Sequence, residues 1–175
     1  AGSVGMGIPV DVSFAFHTDA GVTPDDSIIG TLGIYSTITN GGKFPDGTSR
    51  LASRDLTDIV QTQITGDVRA LFNPDWTRRA MWDKSYYEAR KPDVPAMLLE
   101  LLSHQNLADQ RYGFNPRFRF TVCRAVYKGI LRYLADASGS EYVVQPLPVS
   151  HFAIQPVEGK RVRLSWQPVA DPLEP

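Results

Sequence analysis

The stretch that decides the reading is Pro95-Ala96-Met97-Leu98-Leu99-Glu100-Leu101-Leu102, an apolar run opened by a proline and interrupted by one carboxylate. Its length suits a β-strand covered on both faces, of the kind found inside an α/β sheet. An ionised carboxylate in such a strand loses its hydration, and the loss must be offset by a metal, a cation or a raised pKa. Glu100 is therefore the first candidate functional residue. The structural alternative is a pairing with arginine, or an escape to solvent at the strand end.

Toward the N-terminus, Val10, Val12, Phe14 and Phe16 alternate. The alternation predicts a strand over 10–16 with Asp11, Ser13, Ala15 and His17 on its other face, His17 standing at the C-terminal end. A second strand is expected over 30–38, closing at Asn40-Gly41-Gly42. Leu56, Val60, Ile64, Val68 and Phe72 recur every fourth residue, which predicts a long amphipathic helix with Thr48 or Ser49 as N-cap and a stop at Asn73-Pro74. The aromatic-rich segment from Trp76 to Tyr87 has no readable period.

Beyond the central run, Asn115 and Pro116 form an N-cap and N1 pair ahead of the stripe Phe118, Val122, Val126 and Ile130, joined by Cys123, Tyr127 and Leu134. Cys123 is expected there as a small buried apolar residue. The order strand, strand, helix, strand, helix predicts an α/β fold, a mixed or mostly parallel sheet with helices on both faces. Strand ends in such sheets converge on a crevice, so His17 and Glu100, distant in sequence, are expected to face one cleft. His104 and His151 read as surface residues, and Asp25 and Asp26 as turn caps.

Composition bounds the function. The chain has 175 residues, 42% hydrophobic and 21% charged, as expected of one globular domain with a fragment of a second. No apolar run approaches the roughly 18 residues of a membrane span. With 18 basic and 19 acidic side chains and a net charge of -1, there is no basic stripe to neutralise phosphates, so nucleic acid is not an expected partner. The single cysteine excludes an internal disulfide framework and a cysteine-based zinc cluster. Residues 1–7 carry no signal-peptide pattern. Past Gly139, alternating runs at Val149–Ile154 and Val162–Trp166 flank Glu158-Gly159-Lys160, which predicts a hairpin or the first strands of a β-sandwich. The expected division is residues 1–140 as the α/β part, 141–148 as linker and 149–175 as a short β segment.

Three motifs in order carry a family resemblance. Ser13-Phe14-Ala15-Phe16-His17-Thr18-Asp19-Ala20 resembles the strand Ser-x-His-x-Asn-Ala of the amidase_3 family of N-acetylmuramoyl-L-alanine amidases. Pro95 to Glu100, followed by Asn106, resembles that family's Pro-Ala-x-Leu-x-Glu segment, and Ala125 to Leu134 is similar to its closing helix. Two departures stand out: Asp19 replaces asparagine, and Leu101-Leu102 replace a polar-glycine pair. The resemblance implies a secreted or periplasmic enzyme that hydrolyses the amide between N-acetylmuramic acid and L-alanine in peptidoglycan. It further implies Glu100 as the catalytic carboxylate and His17 as one zinc ligand. The family's other two ligands belong to an N-terminal half not present in this sequence, so the chain alone is expected to bind zinc poorly and be inactive. Val162 to Trp166, with Pro168 and Asp171-Pro172, is similar to the opening of a fibronectin type III module, an arrangement found in exported bacterial proteins, some labelled xanthan lyases.

Two alternatives remain open at this point. One is a non-catalytic cell-wall or polysaccharide-binding module in which Trp76, Trp82, Tyr86 and Tyr87 stack on sugar. The other is a polysaccharide lyase, which needs a base to take a proton alpha to a uronate carboxylate.

Overall fold

The computed structural model describes residues 2–4 and 8–174. The chain divides into two compact units, Ala1–Tyr142 and Val143–Pro175. In the first, β1 (Gly2–Val4) and β2 (Ile8–Val10) pair antiparallel. There follow β3 (Ser13–Asp19), β4 (Thr31–Tyr35), a 3-10 turn at Thr39–Gly42, α1 (Leu51–Leu71), β5 (Trp82–Asp83), α2 (Tyr87–Arg90), β6 (Ala96–Ser103), α3 (Leu107–Gly113) and α4 (Pro116–Ser138).

The decisive run forms β6, inside a four-stranded sheet of order β3-β6-β4-β5. It pairs parallel with β3 and antiparallel with β4, while β5 lies parallel to β4. Every residue of β6 is buried except Glu100, which is half-buried. The α/β fold with a mixed sheet is thus as expected.

Pleating divides β6 between two faces. Met97, Leu99 and Leu101 enter a core with Leu56, Val60, Ile64 and Val68 of α1 and Phe118, Val122 and Ala125 of α4. Leu98 points the other way, to Leu32, Ile34 and Ala15. The long helices share the first face and short α2 serves the second, so the helix cover is unequal. Two glycines set the spacing on the thick side. A Cβ on Gly129 would lie 2.7 Å from Val60 Cα, and one on Gly33 would run into Thr57 Cγ2. Trp76 plugs the end of this core, fully buried, its indole N–H donating to Thr31 Oγ1 at 2.8 Å.

Helix signals read from sequence hold well. Asn115 Oδ1 accepts from the backbone N–H of Arg117 and of Phe118, Pro116 follows, and Gly139 ends α4 at φ 65°. For α1 the N-cap position falls on Arg50, which makes no side-chain cap, and not on the expected Thr48 or Ser49; Ser49 Oγ, one residue earlier, accepts from Leu51 N. Strand limits move more. The expected strand over 10–16 is split at Asp11: Val10 belongs to β2, and β3 runs on to Asp19, so His17 lies two residues inside its end. The second strand shrinks to Thr31–Tyr35. Cys123 is exposed, which corrects its expected burial. The stripe Phe118, Val122 and Ala125 turns inward, and the next position, about 100° further round the helix, falls on the rim.

β6 ends in a bulge. His17 pairs with Glu100 and Asp19 with Ser103, so Thr18 alone opposes Leu101 and Leu102. Leu102 takes φ 64°, a left-handed conformation, and this lets both leucines join the same core.

In the second unit, β7 (Ser150–Val157) and β8 (Arg161–Gln167) form the expected antiparallel hairpin. Its turn uses Gly159 and Lys160 at positive φ. Phe152, Ile154, Val162, Leu164 and Trp166 are all exposed on it.

Candidate functional site

The pleat that sends Leu99 and Leu101 into the helix-covered core turns Glu100 to the other face. Parallel pairing with β3 sets His17 directly beside it, since the two are register partners. The imidazole Nδ1 lies 3.9 Å from Glu100 Oε1. From α2, Glu88 Oε1 reaches within 3.5 Å of the other ring nitrogen, Nε2. His17 is thus held between two carboxylates, with 44% of its side chain exposed against 15% for Glu100. Glu100 Oε2 is buried and finds no hydrogen-bond partner among the described residues.

Asp19 follows His17 by two, so it lies on the same strand face. Its Oδ1 accepts from the Ala20 amide at 2.7 Å, and its Oδ2 accepts from the Arg79 guanidinium. Arg79 is anchored by its backbone: its N–H donates to Thr31 O at 2.9 Å, and its carbonyl accepts from buried Gln61 at 2.9 Å. Its guanidinium stacks over Trp82, 5.4 Å from the ring centre.

These neighbours push the two acids in opposite directions. Burial raises the pKa of Glu100; His17 and Arg79 draw it down and Asp19 and Glu88 push it up, leaving it above the ordinary carboxylate value. For Asp19, burial also opposes ionisation, but hydrogen bonds from Arg79 and Ala20 and the guanidinium charge outweigh it, so its carboxyl sits below the ordinary value. A carboxyl disposed to hold a proton and one held ionised therefore share the cleft, the separation that acid–base chemistry requires.

His17 and Glu100 meet as the sequence suggested; the other candidates make different contacts. His104 is exposed in the turn after β6, its Nδ1 3.2 Å from Thr18 Oγ1. His151 is exposed in the second unit. Asp25 Oδ1 accepts from Ser27 N inside its own turn, as expected, whereas Asp26 Oδ1 accepts from Ala108 N in the first turn of α3. Of the four aromatics, Trp76 is fully buried and cannot stack on a sugar, whereas Trp82, Tyr86 and Tyr87 are 39%, 45% and 61% exposed. Glu88 and Arg79 were not foreseen. Arg79 comes from the segment that has no periodicity, and Glu88 directly follows it. Asp19 could have been chosen from its two-residue spacing to His17.

In kind, the cleft suits zinc, whose usual donors are imidazole nitrogen and carboxylate oxygen. In number it falls short. Among the described residues no group of three or more histidine, cysteine, aspartate or glutamate side chains is placed to hold a metal ion.

No family model matches the chain, and no curated protein matches it. Solved structures do. The chain is similar to the N-acetylmuramoyl-L-alanine amidase AmiC2 of Nostoc punctiforme, with a TM-score of 0.54 and 18% identity over 70% of this chain and 57% of that one. An N-acetylmuramoyl-L-alanine amidase from Clostridium difficile 630 gives 0.55 and 20%, covering 71% and 57%. The catalytic domain of CwlV, an amidase of the same name from Bacillus (Paenibacillus) polymyxa var. colistinus, gives 0.53 and 20%, covering 71% and 57%. The chain spans 57% of the length of each of these three. Its α/β part has the fold of solved N-acetylmuramoyl-L-alanine amidases.

Proposed function

We propose that this chain is part of a cell-wall hydrolase that cleaves the amide between N-acetylmuramic acid and L-alanine, with Glu100 as the proton-transferring carboxylate and His17 as one zinc donor. The observation that supports it is the meeting of Glu100 and His17 on one sheet face, in a fold shared with solved amidases. Glu100, with its raised pKa, accepts the proton of the attacking water and returns it to the leaving amine. Asp19 and Arg79 form the charged wall beside it. Only His17 and the neighbouring acids are present as donors among the described residues, so the remaining zinc ligands would come from outside them, and the proton transfer falls to Glu100. No helix of the described residues is long and apolar enough to cross a membrane. The substrate class places the enzyme outside the cytoplasmic membrane, secreted or periplasmic.

The test is digestion of purified peptidoglycan by the full protein that carries this chain. New amino termini on L-alanine should appear, and Glu100→Gln should lower their rate of release by about 10²–10⁴-fold. An unsaturated sugar product would instead identify a lyase. Retention on the glycan without any product would identify a binding module built on Trp82, Tyr86 and Tyr87.

A further inference from the structure

Basic and acidic side chains balance over the whole chain but not along its last two helices. Between 107 and 134 the chain carries Arg111, Arg117, Arg119, Arg124, Lys128 and Arg132 against one acid, Asp109. This local excess corrects the expected absence of a basic stripe. Asp109 is fully buried and accepts from the amides of Ile29 and Ser103, so the acid is turned inward. Among the cations, Lys128 faces Asp67 and Arg132 faces the Tyr142 ring. Arg111, Arg117 and Arg119 are exposed, and none of their side chains has an ion pair or hydrogen bond among the described residues. Arg111 shares a cleft with Asp26 and Asp75, which leaves Arg117 and Arg119, in the first turn of α4, as the centre of the excess.

The same corner of the fold exposes apolar groups. Arg117 and Phe120 lie three residues apart on α4, and Phe114 stands at the end of α3, so cationic and aromatic side chains share the surface where the two helices join. Phe114 is 77% exposed and Phe120 55%. Beside them an apolar groove of about 360 Å³ is lined by Phe16, Leu101, Leu102, Phe118 and Val122, with Arg119 in its wall. We propose that the α3–α4 corner docks on an anionic phospholipid surface, Arg117 and Arg119 meeting headgroup phosphates while Phe114 and Phe120 enter the acyl boundary. Charge complementarity selects an anionic partner. The exposed phenylalanines select a lipid over a soluble polyanion, because phosphate contacts need no apolar side chain, whereas a bilayer stabilises each one it takes in. The groove beside Arg119 offers an acyl chain similar surroundings. Such docking is independent of the proposed amide hydrolysis.

Co-sedimentation of the 175-residue chain with phosphatidylcholine vesicles, prepared with and without phosphatidylglycerol, tests the proposal. The chain should pellet with the anionic vesicles only, and added salt should release it. The double variant Arg117→Ala/Arg119→Ala should lower the partition by about 10–30-fold, the effect of two arginines near an anionic surface. Phe114→Ser/Phe120→Ser should lower it by at least about tenfold while leaving the salt dependence in place. Arg161→Ala/Arg163→Ala, on the exposed hairpin of the second unit, should bind as wild type does. All six positions are exposed, so the circular dichroism of each variant should match that of the wild-type chain. No binding to phosphatidylglycerol vesicles overturns the proposal, and so does loss of binding in the hairpin variant. Full vesicle binding by the phenylalanine variant would identify a surface that reads phosphate charge alone, and it too overturns lipid docking.

Discussion

The two faces of the sheet each hide an acid, and they treat it differently. On the helix-covered face Asp67 of α1, its side chain 6% exposed, meets Lys128 of α4 at 2.8 Å and accepts from Gln63 at 2.9 Å. On the open face Glu100 has an imidazole at 3.9 Å and an oxygen without a hydrogen-bond partner among the described residues. Complete pairing locks a charge into architecture, whereas incomplete pairing leaves it free to exchange a proton. Burial alone does not separate the two roles; the partners do.

The sharpest way to break this contrast is at the closed pair. Lys128→Met should cost about 3–5 kcal/mol, because it leaves Asp67 charged and enclosed, and urea denaturation measures it. The double variant Asp67→Leu/Lys128→Met should recover most of that loss; a cheap single variant would mean that Asp67 is not committed to the pair. Next in size is Gly129→Ala, which drives a methyl group against the Val60 backbone and should cost about 1–3 kcal/mol on the same assay.

On the open face the effect should be smaller and of opposite sign. Folding raises the pKa of Glu100 above its ordinary value of 4.5, so the folded chain holds that proton more tightly than the unfolded one. The resulting stability is complete below 4.5 and is lost as pH climbs through the raised value. Glu100→Gln has no proton to lose. Urea midpoints taken from pH 4 to 8 should therefore show the variant gaining on wild type as pH rises; a constant difference would mean that Glu100 ionises in the cleft without penalty.

The contrast also explains what the sequence could disclose. An acid amid leucines and a histidine on an alternating strand are local patterns, and the parallel pairing of β3 with β6 then brings them together. The i+4 repeat of α1 and the Asn115-Pro116 start of α4 are equally local. Arg79 and Glu88 were illegible because their neighbourhood is set by tertiary contacts: Arg79 by Thr31 and Gln61, Glu88 by the buried Ala89 of a four-residue helix. Cys123 misled because a stripe seven residues wide in type is narrower in space, and its edge positions meet solvent. The split of the first strand at Asp11 follows from pairing partners, which alternation does not encode.

Leu102 stands where the amidase pattern carries glycine, at φ 64°. An L-residue is disfavoured there by roughly 1–2 kcal/mol, and hiding a leucine returns about 1.5–3 kcal/mol. With 7% of its surface exposed, the side chain recovers what the backbone concedes. Glycine would ease the bend and hollow the interior, while a β-branched residue would fill the interior and fight the bend. Position 102 is therefore a compromise with few acceptable occupants, two residues beyond the cleft carboxylate.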